Sequence, residues 1–195
     1  MAESNITKNA LADALKSLMR EKSFEKISVL DICEKCNMNR KSFYYHFRDK
    51  YDLLNWIFYI GFLEHIKYDG MEELLNEKIK EGSYGIWELI TSLAEYFYTE
   101  KEFYRKALMI EGQNSFKDYF HDGLYPIVRS YMDDVVDDDE TGVFTILICD
   151  TCISALVRWL TSDSPDEPAV AVREMQLHLV KFSKRILQEL GDMDQ

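Results

Sequence analysis

The chain has 195 residues, 47% of them apolar and 30% charged, with only three prolines and eight glycines. That is long enough to bury a core, as one compact domain or a small domain joined to a larger one, and it excludes disordered, collagen-like and β-sandwich proteins. Net charge is −12, which taken alone argues against a nucleic-acid partner, yet residues 1–50 carry ten Lys/Arg against seven Asp/Glu while the remainder carries 13 against 28. A basic head on an acidic body is the asymmetry expected when one end alone touches a polyanion.

The first helix is expected from Thr7, as N-cap, through Leu11, Ala14, Leu15 and Leu18, which keep the i, i+3, i+4 spacing of one buried face. Ser28 followed by Asp31 makes a capping box for a short second helix with Val29, Ile32, Cys33 and Cys36 on its apolar side. Asn37 tolerates the left-handed conformation of a tight turn, and Asn39 is a good N-cap for a third helix starting near Arg40. Asp49 then caps a long apolar and aromatic helix from Tyr51 to about Lys67. Further helices are expected near 71–81, 84–99, 101–112, 116–136, 142–161 and 168–190. Gly82, Gly85, Gly112, the acidic run Asp137 to Glu140 with Gly142, and Ser164-Pro165 with Pro168 supply the breaks. No strand alternation occurs, so the fold class is all-α, with a head over 1–50 and a body over 51–195.

Two positional expectations concern location. The apolar run Leu53 to Leu63 falls well short of the roughly 20 residues that cross a bilayer, and Met1 to Lys8 lacks the apolar core of a secretory signal. A cytoplasmic protein without a membrane partner is expected.

Residues 28–47, SVLDICEKCNMNRKSFYYHF, read as helix, tight turn, helix, the signature of a helix-turn-helix. On a 100° wheel Phe43 and Phe47 turn inward together, so Lys41 and Tyr45 face outward, Ser42 and Tyr44 lie at the flanks, and Arg40 projects from the helix start. Cations and hydroxyls suit phosphate oxygens, and an Arg or Lys can reach guanine in the major groove. With Ser28 and Asn39 at the two helix starts, these residues form the candidate DNA-contact set. Lys50, just inside the next helix, adds an expected phosphate contact where the helix dipole favours an anion.

The stretch from Ile6 to about Phe62 resembles the DNA-binding domain of the TetR/AcrR family of bacterial transcriptional regulators. The resemblance rests on Val29-x-Asp31-Ile32, Tyr44-Tyr45-His46-Phe47 and Lys50-x-x-Leu53-Leu54. It implies phosphate or base contacts at Tyr44, Tyr45, His46 and Lys50, with Phe47 in the core. The chain departs from the family's pattern at Asn37 and Ser23, where glycine is frequent, and at Lys41, where a small residue is usual. Trp159-Leu160, Ser164-Pro165 and the final amphipathic helix are similar to the dihydroxyacetone-kinase-regulator type branch. The family implies a DNA-binding regulator, usually a repressor, that acts as a homodimer. Its last two helices, here near 142–161 and 168–190, would form the interface, and two heads would read a palindromic operator with recognition helices about 34–36 Å apart. An effector in the body would act by moving the fourth helix.

Aromatic residues concentrate in the body, and Trp56, Tyr59, Trp87, Tyr96, Phe103 and Tyr104 are the candidate walls of a small-molecule pocket. A protein partner docked on the body is the alternative means of control. The pairs Cys33-x-x-Cys36 and Cys149-x-x-Cys152 invite a metal or redox reading, but on helices such cysteines behave as small hydrophobes, so no metal or cofactor is expected. His46, His65, His121 and His178 have no HExxH or triad pattern, and no Gly-rich phosphate loop occurs, which argues against an enzyme. The acidic residues from Asp133 to Glu140 lack the spacing of a calcium loop and read as a solvated turn.

Overall fold

The computed structural model describes residues 2–68, 86–111, 116–132 and 141–193, and among them every regular element is helical. The head contains α1 (Ala2–Glu21), a 3-10 turn (Phe24–Lys26), α2 (Val29–Lys35) and α3 (Arg40–His46). α4 (Lys50–Tyr68) leads into a body of α5 (Ile86–Thr99), α6 (Lys101–Leu108), α7 (Phe116–Met132), α8 (Thr141–Leu160) and α9 (Pro168–Met193). The helix expected near 71–81, the breaks at Gly82, Gly85 and Gly112, and the acidic run from Asp133 to Glu140 lie outside the described residues.

The head is organised by local chemistry. The Ser28 hydroxyl accepts from the Asp31 backbone N–H at 3.1 Å while the Asp31 carboxylate accepts from the Ser28 N–H at 2.7 Å, completing the capping box. Asn37 adopts a φ of 53°, the left-handed turn conformation, and the Met38 N–H returns to the Cys33 carbonyl at 2.8 Å. Asn39 Oδ1 then accepts from the Ser42 N–H at 2.9 Å and starts α3. The first helix begins earlier than its predicted Thr7 cap, because neither Gly nor Pro interrupts the residues before it and the helix runs on from Ala2.

Leu11, Leu15, Phe24, Ile32, Phe43, Leu53 and Leu54 are almost fully buried in the head, and the buried cluster continues without a break into the body. Its centre is Phe58 of α4, whose ring packs within 5.3–5.8 Å of Phe62, Tyr96, Phe97, Phe116 and Phe120. A second connection joins α1 to α6: Lys106 Nζ donates to the Met19 carbonyl at 2.6 Å, and Lys16 pairs with Glu100 at 2.5 Å.

α8 packs one face inward through Thr145, Cys149, Ile153 and Leu160, while Val143, Phe144, Ile146 and Leu147 are exposed. α9 likewise exposes Leu177, Val180 and Phe182. By length and composition Gly142–Leu160, with a mean hydropathy of 1.8, is long and apolar enough to cross a membrane, a point that the run Leu53 to Leu63 does not reveal.

Candidate nucleic-acid interface

The geometry of α3 follows from burying two aromatic rings four residues apart. Phe43 and Phe47 are 0% and 4% exposed, and their packing turns the opposite side of the helix to solvent. Tyr45 is 82% exposed and Tyr44 half exposed, with Asn39, Arg40 and Lys41 also at the surface and Ser42 and His46 partly covered. Arg40 lies over the Tyr44 ring at 5.7 Å from its centroid, and its Nη2 donates to the Tyr44 hydroxyl at 3.4 Å, so cation and phenol are held as one unit. That contact raises the pKa of the Arg40 guanidinium. His46 packs edge-on against Tyr45 at 4.9 Å. Burial, and then the nearby Lys8 charge, hold the His46 imidazole below its ordinary value, so at neutral pH it offers hydrogen bonds without a charge.

Two sequence-predicted contacts are employed inside the head. The Ser28 hydroxyl belongs to the capping box and also donates to Asp31 Oδ2 at 2.8 Å. Lys50 turns inward: its ammonium donates to the carbonyls of Phe24, Ile27 and Glu25 at 2.7, 2.8 and 3.2 Å and sits 4.5 Å from the centroid of the Phe24 ring. All three N–H groups are used, so in the chain by itself Lys50 clasps the 3-10 turn to α4. Burial lowers its pKa, and the nearby Glu25 and Asp31 charges work against that effect. The N-terminus of α4 has its own anion, because Asp49 Oδ1 accepts from the Tyr51 and Asp52 N–H groups at 2.8 Å each. Pairing draws off other cations of the head, with Lys22 on Asp31 and Lys35 on Glu21. Arg48 was not singled out by the sequence. It stands just past α3 with its side chain 90% exposed, and its position beside the exposed tyrosines was the available signal.

In the body, the candidate pocket residues do not come together around a cavity. Tyr96, Phe103 and Tyr104 are buried core. The Tyr96 and Tyr104 hydroxyls bond to each other, and Tyr96 donates to the Phe58 carbonyl at 3.3 Å. Desolvation holds the Tyr104 phenol well above its ordinary pKa. Tyr59 is 51% exposed, and Trp56 packs on Phe47 in the head. A cavity of about 350 Å³ lies instead among α5, α7, α8 and α9, lined by residues that include Leu93, Phe120, Leu124, Leu156, Trp159, Val172 and Met175. Helix packing at a distance places it, and none of the six candidates, Trp87 included, lines it. Phe120 belongs both to the cavity wall and to the ring cluster around Phe58, so it links the cavity to α4.

All four cysteines are free thiols, and burial pushes Cys149 up to about 11 and raises Cys33, Cys36 and Cys152. Neutral thiols are poor metal ligands and poor nucleophiles.

A capped helix-turn-helix that presents cations and phenols on a helical body is the architecture of a DNA-binding regulator. Residues 11–57 match the model of the bacterial regulatory proteins of the tetR family, and residues 86–180 match a transcriptional regulator C-terminal region. Together the two matches span the head and most of the body, and the chain belongs to the TetR family. It is 31% identical over 120 residues to the HTH-type dhaKLM operon transcriptional activator DhaS of Lactococcus lactis subsp. lactis (strain IL1403). That match takes in 62% of this chain and 57% of the relative's length. A solved structure titled dihydroxyacetone kinase operon activator DhaS superposes with a TM-score of 0.56 at 23% identity, covering 90% of this chain and 96% of that one, and shows the shared fold.

Proposed function

We propose that the chain is a sequence-specific, dimeric transcriptional regulator of the bacterial cytoplasm rather than an enzyme. The observation that carries this reading is α3 itself, which buries Phe43 and Phe47 and turns Arg40, Lys41, Tyr44 and Tyr45 outward together. A helix held this way can enter a major groove by its N-terminal end. Asn39, Ser42, His46 and Arg48 border that face and would serve phosphate oxygens, while Ser28 and Lys50 keep the head in shape. The head extends to residue 50, and the body from residue 51 holds the effector and the second copy.

The exposed apolar side chains of α8 and α9, among them Leu147, Leu177 and Phe182, would be covered by the same helices of a second copy, giving two heads and a palindromic site. A small molecule in the body cavity would act through Phe120 and Phe58 on α4, and so on the separation of the heads. Similarity to a protein named as an operon activator favours activation over the repression that the family at large implies.

The test is selection of bound sequences from a random duplex pool by purified protein at near-physiological salt, followed by the variant Tyr45→Ala on the selected site. An enriched palindrome, with affinity falling about tenfold in the variant, is expected. A co-regulator whose DNA activity needs a protein partner on the body is the second reading, resting on the same apolar faces of α8 and α9. No enrichment from folded, dimeric protein would favour it.

A further inference from the structure

We propose, building on the reading of the body as an effector domain, that its cavity takes an amphipathic monocarboxylate, with the apolar part enclosed and the carboxylate on Arg158. The walls are apolar from four helices, with Leu93, Phe120, Leu124, Val172 and Met175 among them. Enclosing a chain or ring there gains the ordinary free energy of burying apolar surface. The polar groups at the cavity sort themselves by elimination. The indole N–H of Trp159 donates to the Asp166 carbonyl at 2.9 Å and has nothing left for a ligand. Cys152 is a neutral thiol, because burial raises its pKa.

Arg158 is the charged residue of the lining, and among the described residues it has no ion-pair partner. Arg158 is exposed as well as part of the lining, so a carboxylate that meets it need not be stripped of all its water. A neutral head group would forgo that charge-assisted contact, and a cationic one would be repelled.

The experiment titrates the full-length protein, in the absence of DNA, with decanoate, decanol and decyltrimethylammonium below their micelle concentrations, by calorimetry and by tryptophan fluorescence. Decanoate is expected to bind about tenfold tighter than decanol, and decyltrimethylammonium weakest. Arg158→Gln should abolish the preference for decanoate while decanol still binds. Ala155→Trp and Ala171→Trp, both lining the cavity, should block decanoate and decanol alike without lowering Tm. Equal binding of decanoate and decanol, or a preference unchanged in Arg158→Gln, would overturn the carboxylate assignment. Binding of none of the probes, or full binding in both folded tryptophan variants, would overturn the site. Because DNA takes no part, failure of the regulator reading shows separately, as the absence of any selected duplex.

Discussion

The head and the body of this protein solve the same burial problem with opposite results at the surface. The head buries the rings of α3 that face its core and turns phenols outward, so Phe43 and Phe47 vanish while Tyr45 protrudes. The body encloses a larger aromatic core around Phe58 and still leaves Phe144, Leu147, Leu177 and Phe182 exposed. Two seven-residue helices folded against α1 can surround a small core, whereas long neighbouring helices each keep a flank that another helix must cover. The head thus closes its core with the start of α4, while the body's outer faces stay uncovered in the single chain.

Phe58→Ala should have the largest effect, because its ring is the hub of the body's aromatic core and sits on α4, the helix that also enters the head's core through Leu53 and Leu54. A loss of about 3–5 kcal/mol in urea unfolding is expected, in a single transition that reports head and body together. Two separate transitions would show that the parts fold independently. Leu147→Glu combined with Phe182→Glu should convert a dimer to a monomer by light scattering while leaving helical circular dichroism intact, since both side chains are exposed in the single chain. Persistence of the dimer would move the interface away from α8 and α9.

Within the head, Lys50→Met separates structure from contact. It leaves the carbonyls of Phe24, Glu25 and Ile27 without their ammonium donor and should cost about 1–2 kcal/mol of stability. Tyr45→Ala, by contrast, should change stability by no more than about 0.5 kcal/mol while weakening DNA. Equal stability in both variants would return Lys50 to the DNA face. In the body, Gly123→Ala should stabilise by about 0.5–1 kcal/mol, because a Cβ there meets nothing within 4 Å and the residue lies in a helix.

The gentlest effect is expected from acid. Hydrogen bonds from the Ser28 backbone, from Lys22 and from the Ser28 hydroxyl bring Asp31 from 3.8 down to about 2. A depressed carboxylate stabilises the fold above its unfolded pKa and loses that contribution as pH falls through the folded one. The head should therefore lose a small increment of stability between about pH 4 and pH 2, and Asp31→Asn should abolish that increment in acid titration followed by circular dichroism.

The helix-turn-helix was legible because its determinants are close in sequence. Ser28 and Asp31 are three residues apart, Asn39 and Ser42 likewise, and Asn37 takes the left-handed turn that its short amide tolerates. The outward placement of Tyr45 followed from helical period alone, once two phenylalanines four residues apart required the opposite face. Lys50 shows where that kind of reading stops. Its position at a helix start suggests a phosphate, but the carbonyls it serves lie more than twenty residues earlier in the chain.

The pocket candidates lie beyond such reading as well. Tyr96, Phe103 and Tyr104 carry the side chains that often wall a ligand site, and they became core because α4, α5 and α6 close over them. The cavity formed instead beside less conspicuous residues such as Ala155, Ala171 and Val172. The sequence by itself determined what depends on spacing within a few turns: the caps, the turn, the helical faces and the charge of the head. Tertiary structure alone decided where Lys50 points, which aromatics are sealed and where space remains, because each depends on the approach of helices distant in the chain.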